Sequence, residues 1–231
     1  MNMYLKRSIP ALVIIAGITV AAFAAPAATG KSDGPTLTKP VTPSRLTAAD
    51  GFIPRWFVLE PIAVNGLTRK DVQPMVKKQY FPDQLSVIPH DGDKETVGDK
   101  TLLWHAVDTS LYNVNLYHYA NSLGKQPVNA LFWVVTIVSS PEEMHNVRLA
   151  VGSNAASVWW VNDQEVVGIF NDRQTVIDDG VSKRITLKKG PNVIRAAVVN
   201  GGGATDFCAR LLDANDKPIK GLSITLGEPG K

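Results

Sequence analysis

The chain has 231 residues, 45% of them hydrophobic and 19% charged, with a formal charge of +3 and one cysteine. That length and apolar content can build a sizeable core, which excludes a wholly disordered chain. The single cysteine excludes an intramolecular disulfide, and the scattered, nearly balanced charge excludes an electrostatic footprint for nucleic acid or anionic lipid.

Residues 1–24 read as a signal peptide. Lys6 and Arg7 precede an apolar run from Ile9 to about Ala25, and Ala22-Phe23-Ala24 offers a small-residue cleavage site. The alternative is retention of the run as a membrane anchor, near the lower limit of length for a span. No cysteine follows the run to carry a lipid. Cleavage would remove two positive charges, leaving about +1. The expected location is periplasmic or secreted, with no membrane contact after cleavage. Residues 25–50, rich in Ala, Pro, Thr, Gly and Ser, read as a flexible leader. The folded domain is expected over 51–231.

Strand signals dominate that domain. Ile53 to Leu59 is apolar and aromatic, and stops at Pro61. Thr68 to Asp71 resembles a helix cap ahead of Val72, Met75 and Val76, but Pro74 keeps any helix short. Pro89 to Lys100 is polar and reads as a surface loop. In Ser110 to Ala120, Tyr112, Tyr117 and Tyr119 offer an aromatic surface. Leu131 to Val138 is a continuous apolar run, the pattern of a central strand buried on both faces. Val147 to Val151 alternates. Ser157–Val161 and Glu165–Ile169 form a hairpin around Asn162-Asp163-Gln164. Arg184–Leu187, Val193–Val199, Phe207–Leu212 and Leu222–Leu226 follow, separated by turn-rich segments. Short strands with regular turn signals predict an all-β sandwich, a single domain with one short helix. No internal repeat is visible.

Three segments carry a family resemblance: "VGSNAASVWWVNDQEV" (Val151 to Val166), "ITLKKGPNVIRAAVVNGGG" (Ile185 to Gly203) and "DFCARLLDANDKPIKGL" (Asp206 to Leu222). With "RWFVLEPI" (Arg55 to Ile62), they resemble a galactose-binding-like jelly-roll module of the kind that accompanies secreted carbohydrate-active enzymes. Some such chains are acetylxylan esterases. The resemblance spans roughly residues 52–226 and implies a jelly-roll fold. It implies a carbohydrate partner less specifically, because one fold hosts many activities.

Catalytic signatures are missing. There is no Gly-x-Ser-x-Gly elbow, no His-Glu-x-x-His and no Cys-x-x-Cys. Ser153 is the nearest approach to a nucleophile, but its pattern is that of a turn serine. Cys208 reads as a small buried apolar residue. Glu142 and Glu143 read as a solvated loop. Asp91-Gly92-Asp93 and Asp178-Asp179-Gly180 are oxygen-rich, but neither matches the twelve-residue calcium loop. A structural calcium ion is the one inorganic partner they leave open, and no cofactor or catalytic residue is expected.

Sugar recognition needs an aromatic face with polar neighbours. Trp159 and Trp160 are adjacent on a strand and must face opposite sides. If Trp159 is core, Trp160 faces outward, either open to a ligand or covered by the segment from Asp172 to Asp179. The expected ligand-binding set is Trp160, Asn162, Asp172, Arg173 and Asp179, with Asp172 to Arg184 as a charged recognition loop. The expected function is an exported, non-catalytic carbohydrate-binding or accessory module acting on extracellular polysaccharide. The alternatives are a carbohydrate esterase and a structural envelope protein with a protein partner.

Overall fold

The computed structural model describes residues 36–64, 72–170 and 174–227. The signal-peptide segment, the cap at Thr68 to Asp71, and the site residues Asp172 and Arg173 lie outside them. In chain order the described elements are β1 (Leu37–Thr38), β2 (Ser44–Leu46), β3 (Arg55–Leu59), β4 (Ile62–Ala63), α1 (Val72–Lys77), β5 (Lys94–Val97), β6 (Lys100–Thr109), β7 (Val114–Asn115), α2 (Leu116–Ser122), β8 (Ala130–Ser140), β9 (Met144–Ser153), β10 (Ala156–Val161), β11 (Gln164–Ile169), β12 (Gly180–Val181), β13 (Ile185–Leu187), β14 (Gly190–Asn200), β15 (Asp206–Leu212) and β16 (Ser223–Thr225).

They make an all-β sandwich of two antiparallel sheets. The larger runs β1-β6-β3-β8-β14-β10-β11, and the smaller runs β12-β9-β15-β7 with β13 beside β9. β8 is the axis of the larger sheet. One of its edges pairs with β14 along its whole length; the other is shared by β4, β3 and β16 in succession.

The continuous apolar run of β8 has a simple cause. Phe132, Val134 and Val138 point between the sheets, where they meet Leu149, Val151, Phe207 and Leu211 of the smaller sheet. Leu131, Trp133 and Val135 point the other way into a second core with Val76, Phe81 and Trp104. Both faces are dry, so both phases of the strand are apolar. The second core exists because chain from α1 onward folds over the outer face, with α1 packed on β10 and β14. Pro74 is the third residue of α1. In a first turn its missing N–H has no helical partner to lose, so the six-residue helix tolerates it.

Several elements depart from the sequence reading. β1 and β2 lie within the stretch assigned to the leader, yet β1 pairs with β6 and β2 with β16. The stretch read as a loop at Pro89 to Lys100 contains β5, which pairs with β6. The tyrosine-rich segment, read as an aromatic surface, folds in part into α2. Asn115 accepts a hydrogen bond from the His118 amide at 2.8 Å and caps α2, and Tyr119 is buried. The β10–β11 hairpin turns at Asn162 and Asp163 alone, both at positive φ (47° and 69°), the geometry of a two-residue primed turn.

Candidate functional site

Trp159 and Trp160 face opposite sides of β10, as alternation requires: Trp159 lies between the sheets and Trp160 in the outer core. Trp160 is only 6% exposed and stacks on Trp133 at 5.3 Å and 21°. It shares that core with Val76 of α1 and with Phe81, so its ring offers no open face to a sugar.

The structure does not bring Asn162 and Asp179 together. Asn162 sits at the hairpin tip, where its amide donates to Asn192 Oδ1 at 2.9 Å and its carbonyl oxygen accepts from the Val193 amide at 3.1 Å. Asp179 precedes Gly180, where a Cβ would lie 2.9 Å from Ile169, at the far end of β11. The run of β11 from Gln164 to Ile169, five steps and roughly 16 Å, separates the two positions.

The described part of the expected recognition loop is tied down. The Thr175 hydroxyl donates to the Asp206 carboxylate, and both oxygens of Asp178 accept from Arg210. Gly152 of β9 lets this chain settle, since a Cβ there would come 2.1 Å from the Val176 carbonyl oxygen.

The residues weighed for chemistry have structural partners. Ser153 Oγ is 2.7 Å from Ser157 Oγ, which accepts from Trp159 Nε1 at 2.8 Å, and Ser153 is buried. No histidine is among its partners. His105 is the histidine beside a buried carboxylate: its Nε2 lies 3.6 Å from Glu60 Oε1, and Lys125 lies 3.3 Å from the other oxygen. Ser122, which lines the cleft next to His105, gives its hydroxyl proton to the Tyr119 carbonyl at 2.7 Å. Asp91 pairs with Lys39 at 2.7 Å and accepts from the Ala106 amide at 2.9 Å, while Asp93 accepts from the His90 amide. Among the described residues no three His, Cys, Asp or Glu side chains gather as a metal site.

Cys208 is buried between β9 and its own strand. Burial, with the carboxylates of Asp178 and Asp206 nearby, pushes its thiol from 9.0 up to about 12. The thiol stays protonated in the folded chain where the unfolded chain would ionise. Its contribution to stability is therefore complete below pH 9.0 and is lost as pH rises towards about 12. A water-soluble disulfide reagent at neutral pH is expected to label Cys208 only in denaturant. Rapid labelling of the folded chain would contradict this burial.

A different aromatic ring is available. Tyr112 is 42% exposed, the most exposed aromatic side chain among the described residues. It stands where β6 ends. Thr109 Oγ1 donates to the Asn113 carbonyl at 2.7 Å and accepts from the Leu111 amide at 3.1 Å, a hydroxyl-closed turn that swings Leu111 and Tyr112 outward. Beneath Tyr112 lies Phe52, with ring centroids 5.7 Å apart. The Arg210 guanidinium packs on Phe52 at 4.8 Å, itself anchored by Asp178. The ring therefore stands on a fixed base. Beside it opens a cleft of about 510 Å³ whose polar lining includes Arg45, Asp50, Ser110 and Lys220. Partial burial, with Asp206 and Cys208 near, raises the Tyr112 phenol above its ordinary value, so it remains a hydrogen-bond donor at neutral pH.

No family model matches the chain, and no curated protein matches it. Among solved structures it is similar to the PA14 domain of the antifreeze protein MpAFP, with TM-score 0.44 and 13% identity over 84% of this chain and 98% of that one. It is also similar to a PA14 sugar-binding domain from an RTX adhesin, with TM-score 0.43 and 11% identity over 78% of this chain and 100% of that one. A β-glucosidase from Kluyveromyces marxianus in complex with glucose aligns at TM-score 0.38 and 19% identity over 52% of this chain. The aligned part is 14% of that enzyme's length. Neither a galactose-binding-like module nor an acetylxylan esterase is among these three.

Proposed function

We propose that this domain is an exported, non-catalytic carbohydrate-binding module and that its ligand rests on Tyr112. The supporting observation is the half-exposed Tyr112 ring, propped on Phe52 beside a cleft lined by Arg45, Asp50, Ser110 and Lys220. An aromatic face can cover the C–H side of a pyranose, and side chains at the rim can bond its hydroxyls. The ligand is an extracellular polysaccharide. Export follows from the pattern of residues 1–24, and the esterase alternative is set aside because Ser153 is held by another serine.

The test is affinity electrophoresis of the domain from residue 25 against soluble neutral polysaccharides, with Tyr112→Ala alongside. We expect Tyr112→Ala to weaken binding by about tenfold or more, equivalent to roughly 1.4 kcal/mol. Its melting temperature should fall only slightly, since the change loses one ring contact with Phe52, worth about 0.5–1.5 kcal/mol. Retention unaltered by the substitution, or no retention on any glycan, would remove the reading.

A further inference from the structure

A second cleft, of about 760 Å³, opens at the tip of the β10–β11 hairpin, where it faces β13 and the start of β9. In the larger sheet β3, β8 and β14 lie between β10 and β6, the strand that leads into Tyr112. The two clefts are therefore separate.

The lining of this cleft is one-sided in charge. Arg184 and Lys188 contribute to it, as do the imidazole of His145 and the neutral polar side chains of Asn146, Gln164 and Thr186, and among the described residues no carboxylate lines it. These groups differ in how committed they are. His145 lies 3.1 Å from Glu143 and 3.2 Å from the Thr186 hydroxyl. Arg184 donates to the carbonyls of Asn146 and Asp213 at 2.9 and 3.0 Å and pairs with Asp216 at 3.1 Å. Lys188 is exposed, and among the described residues no carboxylate lies within ion-pair distance of it.

The backbone that carries Lys188 is pinned. The side chain of Asn192, fully buried, accepts from the Lys188 amide at 2.9 Å and donates back to the Lys188 carbonyl at 2.8 Å. The same Asn192 oxygen accepts from Asn162, which fixes the hairpin tip to this turn. The floor is thus rigid, while the side chains above it are exposed and polar, with Lys188 as the cation that no described carboxylate pairs. A ligand that fits carries one anionic group and several hydroxyls.

We propose that this cleft binds an acidic saccharide, with its carboxylate on Lys188 and its hydroxyls on Asn146, Gln164 and Thr186. A volume of about 760 Å³ has room for more than one sugar ring. The site is independent of the Tyr112 reading and could stand without it.

The experiment is calorimetric titration of the domain from residue 25 with a linear trimer of galacturonic acid, at low and at high salt. The neutral galactose trimer and inorganic phosphate are the comparison probes, and Lys188→Gln and Tyr112→Ala are the variants. The acidic trimer should bind and weaken at high salt, and Lys188→Gln should lower its affinity about tenfold, the worth of one charged hydrogen bond. Tyr112→Ala should leave that affinity unchanged. Equal binding of the neutral trimer, or indifference to Lys188→Gln, overturns the proposal. So does phosphate binding as tightly as the trimer, because the cleft would then read charge alone. Loss of trimer binding in Tyr112→Ala but not in Lys188→Gln would assign the ligand to the first cleft and overturn the second. Lys188→Gln changes an exposed side chain, so a folded variant is expected, and its melting curve checks this.

Discussion

Asp108→Ala is expected to destabilise the domain by about 3–5 kcal/mol. Arg55 of β3 and Asp108 of β6 stand directly opposite in register. The Arg55 side chain is 1% exposed. Its Nε and Nη2 donate to the two carboxylate oxygens at 2.7 and 2.9 Å. Two more of its hydrogen bonds reach back to Thr42, at the carbonyl and the hydroxyl. Removing the carboxylate leaves a guanidinium in a dry place with carbonyl and hydroxyl partners but no countercharge. Burying such a pair gains little over an apolar pair, whereas halving it costs much. The double variant Arg55→Met with Asp108→Leu should therefore recover most of the loss. Urea unfolding of the wild type and both variants decides the point. A loss below about 1 kcal/mol in Asp108→Ala would show that the pair is hydrated rather than buried.

Trp160→Ala should cost about as much, roughly 3–5 kcal/mol, by emptying a large volume in a packed interior. The ring stacks on Trp133, which in turn meets Phe81 edge-on at 5.9 Å. Val76 of α1 belongs to the same core, so the cavity lies under the helix and loosens its seat on β10. Near-ultraviolet circular dichroism should show a weakened tryptophan signal, together with a lower urea midpoint. A variant with an unchanged midpoint would mean that Trp160 is not covered. Trp160→Ala consequently probes folding, and Tyr112→Ala probes binding.

How much could be read from the sequence differs by element. β8 was legible because both of its phases are apolar, which only a doubly covered strand requires. The hairpin at Asn162 and Asp163 was legible because few residues accept positive φ at two successive positions. Alternation also placed Trp159 and Trp160 on opposite faces. What covers Trp160 was not legible. Its cover comes from chain some eighty residues earlier, polar in composition, with a proline in its helix. Nothing in a local pattern says that the mixed stretch from Lys78 to Ile88 contributes Phe81 to a core. β1 and β2 were hidden for a related reason. Their sequences bury little, and they join the sheet through backbone hydrogen bonds that any side chain allows. Tyr112 was legible as an aromatic residue but not as a platform. Its exposure depends on the Thr109 turn, and its support on Phe52, sixty residues earlier.

The pairing of β2 with β16 has a consequence for how the sandwich is assembled. Ser44 meets Thr225, and Leu46 meets Ser223. β16 also occupies the stretch of β8 edge beyond β3. This clip joins segments about 180 residues apart, so it cannot close until nearly all the described chain has emerged from the ribosome. Contacts of such separation slow folding, because the entropy of closing the loop is lost before the contact forms. A half-made chain would have an open edge on its central strand and two uncovered faces. A polypeptide that finishes its fold so late stays threadable for most of its synthesis.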